Sequence, residues 1–155
     1  MKKNLKKTNR GMTILFTMLV SAAVLAIAIG VANVALQETV LSASAKEGNV
    51  AFFAADTGAE CAFYWDINKD VFKTAGTPSI SCGGTTQNVS VAGSPLQAVF
   101  NLDLNQGANC AKIKISKDVP NMGETQIESL GYNVPCGSIS NQNPRIVERA
   151  IRATY

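Results

Sequence analysis

The sequence predicts an α+β fold: a long N-terminal helix, transmembrane and then amphipathic, packed on a small antiparallel β-sheet domain. Three observations carry this. Residues 11–37 contain no Asp, Glu, Lys or Arg, a run of 27 uncharged positions between Arg10 and Glu38. From Glu38 to Tyr64 there is no proline, and apolar or small residues recur at spacings of three and four. Beyond Trp65, glycine and proline punctuate the chain, and short segments alternate apolar with polar side chains.

The first element is a basic leader, residues 1–11, with Lys2, Lys3, Lys6, Lys7 and Arg10. Residues 12–37 follow as the apolar helix. About 20 residues at 1.5 Å each cover the ~30 Å hydrocarbon core of a bilayer. All nearby positive charge lies before this run and the far side opens with Glu38, which orients the N-terminus to the cytoplasm and the remainder outward. A secretory signal peptide has a shorter apolar core of roughly 7–15 residues. Ala43-Ser44-Ala45 resembles a cleavage site, but the apolar stretch before it is about twice too long for one. An uncleaved signal anchor is a second reading, and processing at the junction of Arg10-Gly11 with Met12-Thr13-Ile14-Leu15-Phe16 is a third.

Residues 38–65 read as a continuation of the same helix. Leu41, Ala45, Gly48, Phe52, Ala55, Ala59 and Phe63 form one stripe, with Glu38, Asp56 and Glu60 along its edge and Lys46 and Glu47 pointing away. A single helix from Met12 to Tyr64 would be roughly 80 Å long at 1.5 Å per residue. Gly30, Gly48 and Gly58 each weaken it by up to ~1 kcal/mol where exposed.

Residues 66–155 form the expected extracytoplasmic sheet domain. Gly76-Thr77-Pro78 and Cys82-Gly83-Gly84 mark loops, and alternation marks strands over 88–92, 97–104, 110–116 and 125–134. Asn105-Gln106-Gly107-Ala108-Asn109 is a five-residue hairpin loop, and 147–155 closes the domain as a final strand.

Composition narrows the function. The chain has no histidine, which removes His-based acid/base catalysis, His ligation of metals and the His-dependent nucleophile arrangements. Charged residues are 16%, against about 25% in ordinary soluble domains. From Gly11 onward nine Lys/Arg face eleven Asp/Glu, so the body of the chain carries no basic surface for nucleic acid. No phosphate-binding glycine loop, dinucleotide fingerprint or nucleophile elbow is present, and neither an enzyme activity nor a cofactor is expected. Asp66-Ile67-Asn68-Lys69-Asp70 has oxygen ligands at alternate positions but lacks the glycine and terminal glutamate of a calcium loop, and reads as a helix-to-loop turn. Asn88-Val89-Ser90 is a glycosylation sequon of the frequency chance supplies. Phe52, Phe53, Phe63, Tyr64 and Trp65 are assigned to core packing at the helix end.

Two stretches resemble a known family. Arg10-Gly11-Met12-Thr13-Ile14-Leu15-Phe16 is similar to the leader junction of bacterial type IV pilins. Ala51-Phe52-Phe53-Ala54-Ala55-Asp56-Thr57-Gly58-Ala59-Glu60 resembles the stretch that follows the apolar helix in minor pilins with a PilX-type N-terminal region. The resemblance covers roughly the first 65 residues; the rest agrees in texture alone. It implies cleavage by a prepilin peptidase between Gly11 and Met12, N-methylation of Met12, and assembly with other pilin subunits through the apolar helix after release from membrane lipid. It also implies location first in the cytoplasmic membrane and then at the cell surface. Major pilins carry a glutamate at the fifth mature position, where this chain has Phe16, and no carboxylate occurs before Glu38. An unpaired charge inside an apolar bundle is costly, so the departure favours an accessory or tip subunit over a shaft subunit. The alternative is an uncleaved single-pass anchor carrying an extracytoplasmic binding domain.

The four cysteines are Cys61, Cys82, Cys110 and Cys136, with no C-x-x-C spacing, which suits disulfides formed outside the cytoplasm better than a zinc or redox motif. If 110–116 and 125–134 pair around the turn at 117–124, Cys110 and Cys136 lie near one end of the sheet. Cys61 is then left to pair with Cys82.

Overall fold

The computed structural model describes residues 10–118, 124–139 and 145–155. Residues 1–9 of the expected leader, and residues 119–123 of the expected turn between strands, lie outside the described residues. The chain divides into two compact units, one ending at Ala43 and one spanning Ser44–Tyr155.

One α-helix, α1 (Arg10–Phe63), enters both units without a break. In the first unit every residue from Met12 onward is exposed, and the segment is long and apolar enough to cross a membrane, with a mean hydropathy of 2.6 over 18 residues. Three of its hydroxyls are turned back on the helix: Thr17 donates to the Ile14 carbonyl at 2.9 Å, Ser21 to Met18 at 3.0 Å and Thr39 to Leu36 at 2.8 Å. Each is thus satisfied without water, as an apolar environment requires.

The second unit is the sheet domain. A two-stranded antiparallel sheet is made by β1 (Ser79–Cys82) and β2 (Thr85–Asn88). A five-stranded antiparallel sheet runs in sequence order through β3 (Val91–Ala92), β4 (Leu96–Leu104), β5 (Asn109–Lys117), β6 (Thr125–Tyr132) and β7 (Glu148–Thr154). Alternation is strict in β4, where Leu96, Ala98, Phe100, Leu102 and Leu104 are buried and the residues between them exposed. Phe100, Ile113, Ile115 and Ile127 meet Phe72, Ile80 and Val89 in one core, with Phe72 and Phe100 stacked at 6.4 Å. Each such side chain contributes about 1.5–3 kcal/mol through removal from water.

The part of α1 from Ser44 to Phe63 lies on the inner face of this sheet, and the approach is very close. At Gly131 of β6 a Cβ would run into the Ala51 carbonyl and the Ala55 backbone. At Gly58 of α1 a Cβ would stand 2.5 Å from the Ser129 Oγ and 3.0 Å from the Ala111 Cβ. The buried helix face is accordingly Gly48, Ala51, Ala54, Ala55, Gly58, Ala59 and Ala62.

This corrects the predicted stripe. Gly48, Ala55 and Ala59 are in it, but Leu41, Ala45 and Phe52 are exposed: a side chain as large as Phe52 does not fit where backbone meets backbone, and Leu41 belongs to the first unit. Phe53 and Tyr64 are exposed too, at 65% and 50%, and of the five aromatic residues assigned to the core only Phe63 and Trp65 pack against it, half-buried. Glu47 does not point away: it accepts a hydrogen bond from Asn133 Nδ2 at 2.9 Å.

The strand readings also shift in detail. The hairpin loop is four residues, because Asn109 pairs with Leu104; Asn105, Gln106 and Gly107 take positive φ to make so short a reversal. The predicted strand 88–92 is two pieces: Asn88 ends β2, and Val91 starts β3 after Val89 and Ser90. Cys82 belongs to β1 rather than to a loop, with the turn confined to Gly83-Gly84. β6 stops at Tyr132, short of 134.

The close approach makes a sharp prediction. Gly131→Ala should lower stability by about 3 kcal/mol or more, because overpacking here must move helix backbone rather than a side chain. Ser129 is fully buried and its hydroxyl has no hydrogen-bond partner. Ser129→Ala should therefore raise stability by about 1 kcal/mol. Urea unfolding of the detergent-solubilised chain checks both.

Candidate functional site

Two regions concern function: the apolar half of α1, and the junction where α1 ends. In the first, Gly11 and Met12 lie in the opening turns of the helix. Met12 and Phe16 are both exposed. The first carboxylate along the helix is Glu38.

At its C-terminal end α1 passes into one π-helical turn, Tyr64–Asn68. The wider turn brings Asp66 inward among the aromatic residues, leaving it 2% exposed. Lys117, the last residue of β5, donates to both carboxylate oxygens of Asp66 at 2.6 and 2.8 Å. The Tyr155 hydroxyl donates to Oδ2 at 2.6 Å. Tyr155 also packs its ring on Phe63 at 5.4 Å and exchanges both backbone hydrogen bonds with Thr125. One buried carboxylate thus joins the helix end, β5, and the residue after β7. Burial and the adjoining Asp66 carboxylate push the Tyr155 phenol well above its ordinary range.

A second junction lies at Asn133. Its side chain donates to Glu47 on α1 and to the Arg145 carbonyl, and accepts from the Val147 N–H at 2.8 Å. The Asn133 N–H also donates to the Val147 carbonyl at 3.3 Å, so β6 and β7 are tied together here by side chain and backbone. On the outer face of the sheet Lys112 stands over the Tyr132 ring, 5.4 Å from its centre. Burial raises the Tyr132 phenol to about 12, helped by its hydrogen bond to Glu148 and by that carboxylate's charge.

The cysteines form two bridges. Cys61–Cys82 joins the last turn of α1 to β1, with Cα atoms 6.0 Å apart. Cys110–Cys136 joins the start of β5 to the 3-10 turn Cys136–Ser138, at 4.8 Å. This is the pairing expected from the strand order, and no free cysteine remains. Bridges closing loops of this length are worth about 3 kcal/mol each in the chain-entropy account.

Among the described residues no three His, Cys, Asp or Glu side chains gather to hold a metal ion. An open recess of about 490 Å³ at the end of β5 and β6 is lined by Pro95, Ser116, Asp118, Glu124, Gln126 and Thr154. Asp66, Lys117, Tyr155 and Asn133 were not singled out as partners in the sequence. The available signal was Asp66 itself, an acid set among Phe63, Tyr64 and Trp65 at the end of an apolar face.

Comparison with known proteins gives no matching family model, no similar curated protein and no similar solved structure.

The charge lock predicts an asymmetry. Lys117 retains 17% side-chain exposure against 1% for Asp66, so a released lysine reaches water and a released aspartate does not. Lys117→Met should cost about 3–5 kcal/mol by stranding the carboxylate, and Asp66→Asn distinctly less; chemical unfolding of the two variants measures the difference. Both tyrosines hold their protons more tightly folded than unfolded, so their contribution is intact below pH 10 and falls as pH rises from 10 toward 12. A pH series of melting temperatures should decline from about pH 10, less steeply in Tyr155→Phe.

Proposed function

We propose that this chain is a non-enzymatic, pilin-like structural subunit, cleaved after Gly11 by a prepilin peptidase, methylated at Met12 and assembled through its apolar helix. The observation that carries the reading is a single helix with two different surroundings. From Met12 to Ala43 it is bare on every side, and from Gly48 onward it presents a glycine- and alanine-rich face to a disulfide-bonded antiparallel sheet. A bare apolar helix needs lipid or other helices around it. Small residues such as Ala22, Ala26 and Gly30 allow close helix–helix approach, and Gly30 has nothing within 4 Å in the isolated chain. The subunit rests in the cytoplasmic membrane before assembly and then exchanges lipid for its neighbours, the sheet domain facing outward at the cell surface.

Phe16 supports an accessory or tip place for the subunit. A shaft subunit needs a carboxylate near its new N-terminal amine, and this helix supplies none before Glu38. The same observation favours a second reading, an uncleaved membrane anchor for an extracytoplasmic binding domain.

Intact-mass measurement of the membrane-extracted protein separates the two. The expected result is a mature chain beginning at Met12 and one methyl group heavier than its sequence, and Gly11→Val should abolish the trimming. Retention of residues 1–11 would establish the anchor instead.

A further inference from the structure

Among the described residues the sheet domain has two exposed patches on opposite sides, and their charges are complementary. On the helix layer, the side of α1 and its closing π-helical turn that faces away from the sheet carries Phe53, Asp56, Glu60 and Tyr64, spaced three and four residues apart. Phe53 is 65% and Tyr64 50% exposed. No Lys or Arg occurs between Lys46 and Lys69, so this face is acidic as well as aromatic. Among the described residues neither Asp56 nor Glu60 has an ion-pair partner.

On the sheet layer, the register places Val99 opposite Lys114 and Asn101 opposite Lys112, with Leu130 opposite Lys112 on the other side. Val99 is 61% exposed, an unusual state for a β-branched residue in the middle of a nine-residue strand. Across the sheet Glu128 is bound to Arg152 at 2.6 Å, and among the described residues neither Lys112 nor Lys114 has an ion-pair partner. Asp103, two residues beyond Asn101, is on the same face, so with Lys112 and Lys114 this half keeps a net positive charge beside the exposed Val99.

We infer that the outer face of α1 in one copy docks on the β4–β5 half of the outer sheet face in a second copy, Asp56 and Glu60 meeting Lys112 and Lys114 while Phe53 covers Val99. The inference deepens the structural-subunit reading by naming surfaces between neighbours. Opposed charges fix the register of such a contact and Phe53 supplies its apolar anchor. The two surfaces differ, so the contact is heterologous and leaves a free face at each end for a further copy. It also gives each sheet a helix on both faces, the arrangement that buries a sheet fully.

A photoactivatable benzophenone analogue of phenylalanine at Phe53, in the full chain in membranes, tests the contact. The expected adduct joins two copies, with the partner peptide drawn from β4 or β5. Glu60→Lys and Lys114→Glu should each lower its yield by about tenfold, and co-expressing the two variants should restore it. Adducts confined to residues 12–37 of another copy, to lipid or to the same chain overturn the docking, as does an inter-copy adduct indifferent to both charge reversals. The mass of the mature N-terminus is read from the same sample. Trimming at Gly11 without the adduct refutes the docking alone, and the adduct on an untrimmed chain refutes the pilin-like reading alone.

Discussion

Backbone-to-backbone approach between α1 and β6 governs the sheet domain. Gly131 has room for no side chain because the Ala51 carbonyl occupies the place, and Gly58 lies against Ser129 and Ala111 in the same way. A helix that near a sheet excludes every large residue from its inner face. The core is consequently built from what the sheet and the following loop supply, Phe72, Ile80, Phe100, Ile113, Ile115 and Ile127, while the helix contributes mostly alanine. Displacing the helix by the width of one methyl group would open gaps along this whole line.

The end of the helix is fixed by different means. Packing of small residues sets distance but resists sliding poorly, because one alanine resembles the next. Asp66 supplies the missing positional information. Its carboxylate takes two hydrogen bonds from Lys117 and one from Tyr155, and each donor comes from a different part of the sheet. Burying this pair costs desolvation that the Coulomb attraction returns only in good geometry. Its value is therefore in specifying one helix register rather than in net stability. Cys61–Cys82 and the Glu47–Asn133 hydrogen bond add restraints in the last turn of α1 and toward the start of its docked stretch.

The division into a long helix and an antiparallel sheet was readable from residues because it rests on periodicity. Uncharged residues 11–37 and the alternation of β4 are signals that survive any tertiary context. The cysteine pairing was readable once strand order was assumed. Which side of the helix is buried was less so: Phe52 scored as core by hydrophobicity alone, yet the helix face against the sheet is almost all glycine and alanine. Close approach is a property of two surfaces, and one of them, Gly131, lies 80 residues beyond Ala51. The β1–β2 hairpin was hidden because its strands, Ser79–Cys82 and Thr85–Asn88, are mostly polar and four residues each. Asp66 was read as part of a turn, since burial of a lone acid becomes visible only when Lys117 and Tyr155 arrive from far along the chain.

The same chemistry, small residues on a helix, serves two purposes in this chain. Between Gly48 and Ala62 it meets a sheet of the same molecule, and its glycines have measurable neighbours: Arg149 beside Gly48, Ser129 beside Gly58. Between Met12 and Ala43 it meets nothing, and Gly30 stands open. A glycine inside a helix weakens it by about 1 kcal/mol against alanine unless packing compensates. At Gly58 that compensation is internal. At Gly30 it must come from outside the chain, and lipid tails, fluid and irregular, offer little that a glycine surface needs. Another helix would offer it directly, which is the physical basis for the proposed exchange of lipid for neighbouring subunits.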